Sequence, residues 1–277
     1  MERYLHMYTI SIGMDPNIGS IGTFTISWHG LFTALGVLIG FIIMLYTARK
    51  IGIAGDAAAP AVLCGVIGGI IFARVFHVID EWSYYSQNLV QMVKITDGGL
   101  AVFGAMLGGA VVGIIYGKIT GRDMEFMARL GDVTAPGLLA GMIIGRIGCA
   151  INGDAYGTAT SLPWGFTYTH ANHSETTLVT PYVGHPYPVY DLLWNLMVIG
   201  VYLYLWKKRR PSGVLYLTFL SLYSLGRLII SFVRVNKEVV FGLQQAQVIA
   251  VVVMIICIPT IIYLMKTKPK TRADMLG

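Results

Sequence analysis

The sequence predicts an all-α polytopic membrane protein of seven transmembrane helices, with the N-terminus outside and the C-terminus cytoplasmic. Three observations carry this. The chain is 55% hydrophobic and only 12% charged, about half the charge of a soluble domain. Its apolar runs approach the roughly 20 residues that cross a bilayer. Its Lys and Arg residues crowd alternate connections, which sets the orientation.

The spans fall at about 27–47, 57–79, 99–117, 130–151, 189–206, 213–232 and 244–265. Arg49 and Lys50 follow the first. Lys118, Arg122 and Arg129 lie between the third and fourth, and Lys207, Lys208, Arg209 and Arg210 follow the fifth. Lys266, Lys268, Lys270 and Arg272 follow the seventh, whereas the opposite side has only Arg3, Lys94, Arg234 and Lys237. Residues 1–277 read as a single integral-membrane domain, and 152–188 as an external loop that forms part of the site. A connection of that length is more often functional than idle.

The net charge of +6 is explained by topology and calls for no nucleic acid. Cys64, Cys149 and Cys257 lie far apart in apolar surroundings, with neither metal spacing nor a disulfide framework. No metal and no other cofactor is expected. The residues before the first span lack a basic stretch followed by an apolar core, so no cleavable signal peptide is expected.

Two stripes of small residues predict close helix packing in lipid: Ala61, Gly65, Gly69 and Ala73, and Gly137, Gly141, Gly145 and Cys149. On this reading Cys149 is simply the last small member of its stripe.

The polar residues converge on the outer level. His29 opens the first span. Arg74 and His77 share a face near the outer end of the second, and Asp97 with Gly98 and Gly99 opens the third. Arg146 lies roughly 24 Å from the inner end of the fourth span at 1.5 Å per residue, and Arg227 sits at a similar depth in the sixth. Arg146 is followed closely by Asn152, Asp154 and Tyr156. An arginine in hydrocarbon is costly and persists where it pairs with something. A lipid phosphate suits it, because a guanidinium holds phosphate bidentately. The plainer account is a snorkelling side chain. A transporter would place such groups near the midplane, in broken helices of repeated halves.

These residues resemble a known family. The stretch Gly145-Arg-Ile-Gly-Cys-Ala-Ile-Asn-Gly-Asp-Ala-Tyr-Gly157 is similar to the signature of bacterial prolipoprotein diacylglyceryl transferases. Supporting matches are Trp28-His-Gly30, Asp97-Gly-Gly-Leu-Ala-Val-Phe-Gly104, Pro163-Trp-Gly165, His185-Pro-Tyr-Pro-Val-Tyr-Asp191 and Tyr223-Ser-Leu-Gly-Arg-Leu-Ile-Ile-Ser-Phe-Val-Arg234.

The resemblance implies a multi-pass enzyme of the bacterial cytoplasmic membrane. It would move the diacylglyceryl group of phosphatidylglycerol to the lipobox cysteine thiol of a prolipoprotein signal peptide. Glycerol 1-phosphate would leave, and no cofactor would be needed. Its partners would be phosphatidylglycerol, prolipoproteins and the surrounding membrane lipids. The resemblance implies Arg146, Arg227 and Tyr223 as catalytic residues, and the residues themselves add His29 and Asp154 to the candidate catalytic set. The candidate substrate-binding set is Arg146 and Gly157, which match family residues, together with Asn152, Tyr156, Arg74, Gly98, Gly99, Phe103 and His185.

The chain also departs from the family pattern. Phe103 stands where some members have a histidine proposed to act on the thiol, and a phenyl ring accepts no proton. Cys149 replaces asparagine, Asp154 and Ser231 replace glutamates, and His29 stands where tyrosine is frequent. With Phe103 unable to serve, His29 is the first candidate for proton acceptor and Asp154 the second. Two rival readings are a family-like phospholipid-binding protein without transfer, and a small-molecule transporter.

Overall fold

The computed structural model describes residues 9–22, 24–94, 99–153, 155–173, 182–235, 238–240 and 242–270. Among them, seven helices are long and apolar enough to cross a membrane. They are α1 (Trp28–Lys50), α2 (Gly55–Asp80), α3 (Val102–Ile119), α4 (Met124–Asn152), α5 (Tyr187–Trp206), α6 (Val214–Ile230) and α7 (Gln245–Thr267).

Local chemistry sets most of the ends. Ser27 caps α1 by accepting from Gly30 N at 3.1 Å, and Asp123 caps α4 by accepting from Phe126 N at 2.7 Å. That cap moves the start of α4 to Met124, ahead of the expected 130, so Arg129 lies within the helix. The start of α3 is later than expected, because Gly99 has φ +76° and Ala101 is extended. Gly153, at φ +70°, ends α4 in the left-handed conformation. The buried Asp132 of α4 caps α6 from outside, accepting from Gly213 N and Tyr216 N at 2.9 Å each.

The helices associate chiefly as α1 with α4, α2 with α3, and α6 with α7, while α5 bridges α4 and α6. The small-residue stripes explain the first two pairs. A Cβ at Gly36 would sit 2.7 Å from Gly141 O, and one at Gly40 2.6 Å from Gly137 O. Between α2 and α3, Gly65 faces Gly109 and Gly69 faces Ala105. The second stripe ends sooner than expected. Gly145 meets nothing within 4 Å, and Cys149 carries a polar contact described below.

Between the α1–α4 and α2–α3 pairs lies an apolar cavity of about 860 Å³, lined by Gly36, Phe41, Val66, Ile70, Met106 and Leu138 among others. Apolar side chains face outward along the bundle, among them Val37, Leu38, Ile42, Ile71, Ile255 and Ile256. That surface is what a lipid-facing exterior requires.

Small β elements gather at the end of the bundle where α4 finishes and α5 begins. β1 (Ile10–Ile12) pairs in parallel with β4 (Phe166–Tyr168). β2 (Asn17–Ile21) and β3 (Phe24–Ser27) form a hairpin leading into α1. β5 (Glu238–Val240) pairs with β6 (Leu243–Gln244) just before α7. The segment expected as a loop over 152–188 is therefore partly ordered structure. Tyr168 Oη donates to Ala150 O at 2.8 Å and His173 Nε2 bonds Ile151 O at 2.9 Å. Both satisfy carbonyls that the end of α4 leaves open.

Candidate active site

At that same end, three arginines, from α4, from α6 and from the extended chain just after α6, surround one tyrosine ring. The guanidinium carbons of Arg146, Arg227 and Arg234 lie 5.6, 5.6 and 5.0 Å from the centroid of the Tyr187 ring. Tyr187 is fully buried. Among the described residues one carboxylate enters the cluster: Asp191 Oδ2 is 2.5 Å from Arg146 Nη2 and 3.8 Å from Arg227 Nη1. Tyr187 Oη donates to the same oxygen at 3.3 Å.

Each of these side chains is placed by a packing feature. Tyr187 and Asp191 are one turn apart on α5 and so share a face. Gly226 lets the Trp194 indole of α5 lie flat against α6, since a methyl there would overlap the ring. Trp194 Nε1 then donates to Leu222 O at 2.9 Å. Arg234 follows Arg227 by about two turns and is held at its backbone. Gln244 Nε2 donates to Ser231 O and Arg234 O at 2.9 Å each, and Gln247 fixes Gln244 in turn.

The charge is unbalanced. Among the described residues, three guanidiniums, always protonated in proteins, face a single carboxylate. Burial first, and then repulsion from Arg146, draws Arg234 below its ordinary pKa, with Asp191 opposing. Arg227 is 8% exposed, and its Nε and Nη1 have no hydrogen-bond partner among the described residues. Buried donors without acceptors are costly, so the cage is suited to an oxyanion. Ser231 Oγ is likewise buried without a hydrogen-bond partner among the described residues.

The structure brings together Arg146, Arg227 and Tyr223. Tyr223 is buried and meets the Phe103 ring edge-on at 5.7 Å between centroids. His29 approaches Arg146 through Cys149, whose Sγ is 3.5 Å from His29 Nδ1 and from Arg146 Nη1. Asn152 is half-buried in the last turn of α4. Gly157 and His185 build the wall beside the cage. Gly157 N donates to His185 O at 3.1 Å and Thr158 N to Val233 O at 2.8 Å. A Cβ at Gly157 would lie 2.6 Å from both His185 Cβ and Val233 O, so only glycine lets the two strands of backbone meet. His185 Nδ1 contacts Tyr190 Oη at 3.2 Å, which accepts from Trp164 Nε1 at 2.9 Å. Tyr156 packs edge-on against Tyr182.

Arg74 is placed differently from the expectation of a substrate ligand. Its Nε donates to Met92 O at 2.9 Å, Nη1 to Gly99 O at 3.0 Å, and Nη2 to Gln91 O and Lys94 O at 2.5 and 2.7 Å. The guanidinium ties down the connection before α3 instead of joining the cage. Gly99 packs against it, with a Cβ there only 2.5 Å from the His77 ring. Asp97, Gly98 and Asp154 lie outside the described residues.

Asp191, Arg234 and Tyr187 were not among the residues singled out from sequence. A signal for Asp191 exists: it is the sole charged residue of α5, and a charge inside an apolar span is a functional candidate in itself. Arg234 enters the sequence reading as an external charge and as the last residue of a matched motif, with no role of its own.

Fold and site together define a class: a multi-pass membrane protein with a buried cationic cage near one end of an apolar cavity. Comparison with known proteins then identifies the family. The prolipoprotein diacylglyceryl transferase profile matches residues 16–263. A phosphatidylglycerol–prolipoprotein diacylglyceryl transferase of Dehalococcoides mccartyi is 34% identical over 94% of this chain and 97% of its own length. Proteins of the same name from Clostridioides difficile and Bacillus mycoides are each 33% identical, over 87% and 94% of this chain and 92% and 95% of their own lengths. The chain belongs to the prolipoprotein diacylglyceryl transferase family.

Proposed function

We propose that this protein transfers the diacylglyceryl group of phosphatidylglycerol to the lipobox cysteine of prolipoproteins, releasing glycerol 1-phosphate at the outer face of the bacterial cytoplasmic membrane. The family supports the activity, and the Lys and Arg bias supports the orientation. The observation that carries the reading is the three-arginine cage with a single carboxylate.

The chemistry asks for such a cage. The substrate sulfur bonds to the terminal glyceryl carbon, and the bond from that carbon to the phosphate oxygen breaks, its electron pair staying on oxygen. The phosphate goes from monoanion to dianion, so charge builds where Arg146, Arg227 and Arg234 point. Fixed donors that meet developing charge in a dry site are the largest single contribution in many enzymes. Asp191 holds Arg146 in place. The apolar cavity, which Gly145 also lines, provides room for acyl chains beside the headgroup.

The thiol proton leaves with His29 as acceptor, and Asp154 is the second candidate. Phe103 supports Tyr223 and accepts nothing. That substitution favours one competing reading, a phospholipid-binding protein without transfer. Purified protein given phosphatidylglycerol with a labelled diacylglyceryl group and a lipobox peptide separates the two. Label on the peptide thiol, with glycerol phosphate released in equal amount, is the expected result. Saturable phospholipid binding with no labelled peptide would leave only the binder.

A further inference from the structure

The hydroxyls along α6 and the turn after it are of two kinds. Thr218 and Ser221 donate back along the helix, to Val214 O at 2.7 Å and Leu217 O at 2.8 Å, the usual outlet for a helical hydroxyl. Ser231, in the 3₁₀ turn Ser231–Val233, does otherwise. It is fully buried, and its Oγ has no hydrogen-bond partner among the described residues. Ser224 is in the same condition, but it lies one turn inward of Arg227, at the level where Trp194 crosses α6. Ser231 lies one turn outward of Arg227, about 6 Å along the axis at 1.5 Å per residue.

The surroundings of Ser231 belong to the arginine cage. Its N–H still bonds Arg227 O, so helical geometry reaches it and the two side chains share a face. Arg227 Nε and Nη1 are donors without partners among the described residues. Arg234 follows Ser231 three residues later, and the guanidiniums of Arg227 and Arg234 both meet the Tyr187 ring. The backbone between them is pinned. Gln244 Nε2 donates to Ser231 O and Arg234 O at 2.9 Å each, and Thr158 N to Val233 O at 2.8 Å. A fixed backbone thus presents the hydroxyl, which is what selective recognition requires.

A guanidinium only donates, so the arginines suit the phosphate oxygens. An alcohol must also place its own proton, and a serine oxygen accepts it while still offering a proton of its own. In an outer-leaflet phospholipid the acyl chains run inward from the phosphate and the headgroup runs outward. With the phosphate on Arg227, the turn beyond it is where the headgroup alcohol falls. A buried hydroxyl without a partner is costly, and a glycerol headgroup removes that cost. An ethanolamine headgroup would instead bring an ammonium into a site with excess positive charge. We propose that Ser231 is a specificity residue for the headgroup: its Oγ hydrogen-bonds a glycerol hydroxyl of the phosphatidylglycerol whose phosphate lies on Arg227. This assignment rests on the cage being the phospholipid headgroup site.

The test is a cycle between one side chain and the lipid. Wild type and Ser231→Ala are each given phosphatidylglycerol or phosphatidylpropanol, the same phosphodiester without the headgroup hydroxyls. Transfer to a lipobox peptide gives kcat/KM, and lipid titration of the detergent-solubilised protein gives Kd. A site built to bond a substrate hydroxyl rejects the analogue that lacks it, so wild type should prefer phosphatidylglycerol by at least about tenfold. Ser231→Ala should lose about tenfold with phosphatidylglycerol and stay within about twofold with phosphatidylpropanol, the size expected for one hydrogen bond. Equal losses with both lipids would overturn the assignment and leave Ser231 a structural residue. No loss with either lipid would overturn it as well. Equal use of the two lipids by wild type would overturn it without any variant having to fold. Absence of transfer from every lipid would count against the transferase reading alone. The Kd values then decide the headgroup assignment: it stands if wild type prefers phosphatidylglycerol and Ser231→Ala does not, and falls if the two proteins show the same preference.

Discussion

Arg146 Nη2 lies 2.5 Å from Asp191 Oδ2, and among the described residues that oxygen is also the nearest counter-charge to Arg227, at 3.8 Å. One carboxylate on α5 thus orients the arginines of α4 and α6, and the cage depends on it.

Asp191→Ala should therefore be destabilising even though it removes a charge from a membrane protein. Breaking a buried ion pair from one side costs about 3–5 kcal/mol, because the remaining charge is left unpaired. Thermal unfolding in detergent should show a lower midpoint than wild type. Added phosphatidylglycerol should raise the midpoint of the variant more than that of the wild type, since an anion replaces the lost carboxylate. Equal shifts in both proteins would remove phosphate from the cage.

Arg146→Ala and Arg227→Ala should each abolish measurable transfer while leaving membrane insertion intact. Loss of one charge-stabilising donor costs on the order of 10²–10³ in kcat, and about 1.4 kcal/mol corresponds to each factor of ten. Arg146→Lys should fail as well, because an ammonium cannot bind Asp191 and a phosphate with a planar fork. Near-normal turnover of Arg146→Ala at saturating lipid would return Arg146 to an interfacial anchor.

Arg74→Ala should behave differently from these. Its guanidinium serves carbonyls at Gln91, Met92, Lys94 and Gly99, so its removal should loosen the connection between α2 and α3. Faster proteolysis in 86–100 with a modest effect on lipid KM is the expected result. A large KM effect with unchanged proteolysis would restore it to the substrate-binding set.

Gly157→Ala should inactivate through shape. The new methyl would press on Val233 O and His185, and overpacking of this kind costs about 1–3 kcal/mol. The displaced backbone is the one that leads into Arg234. Unchanged activity would mean that the wall beside the cage yields easily.

Orientation is checked by reporters. One fused after Gly277 or placed within 207–212 should read cytoplasmic, and one within 158–185 external. An external signal from 207–212 would put the arginine cage on the inner face.

Much of the architecture was legible before any coordinates. Span number and order follow from runs of apolar residues, and glycine spacing announced close helix packing, while the pairing of α1 with α4 and of α2 with α3 came from the structure. These are local properties: hydrocarbon admits few backbone conformations, so composition and period suffice. The signature arginines were visible for the same reason, a charge inside an apolar run being conspicuous. Only the tertiary structure decided what the polar side chains meet. Arg74 and Arg146 look alike in sequence, yet one binds loop carbonyls and the other a carboxylate on a helix over 40 residues away. Arg234 read as one external charge until the Gln244 contacts held it over Tyr187. Cys149 read as a packing residue until α1 brought His29 to its sulfur. A hydrogen bond depends on a few tenths of an ångström and on angle, and helix periodicity specifies a face only to within a turn. Which donors share one acceptor is therefore settled when the helices pack, and not before.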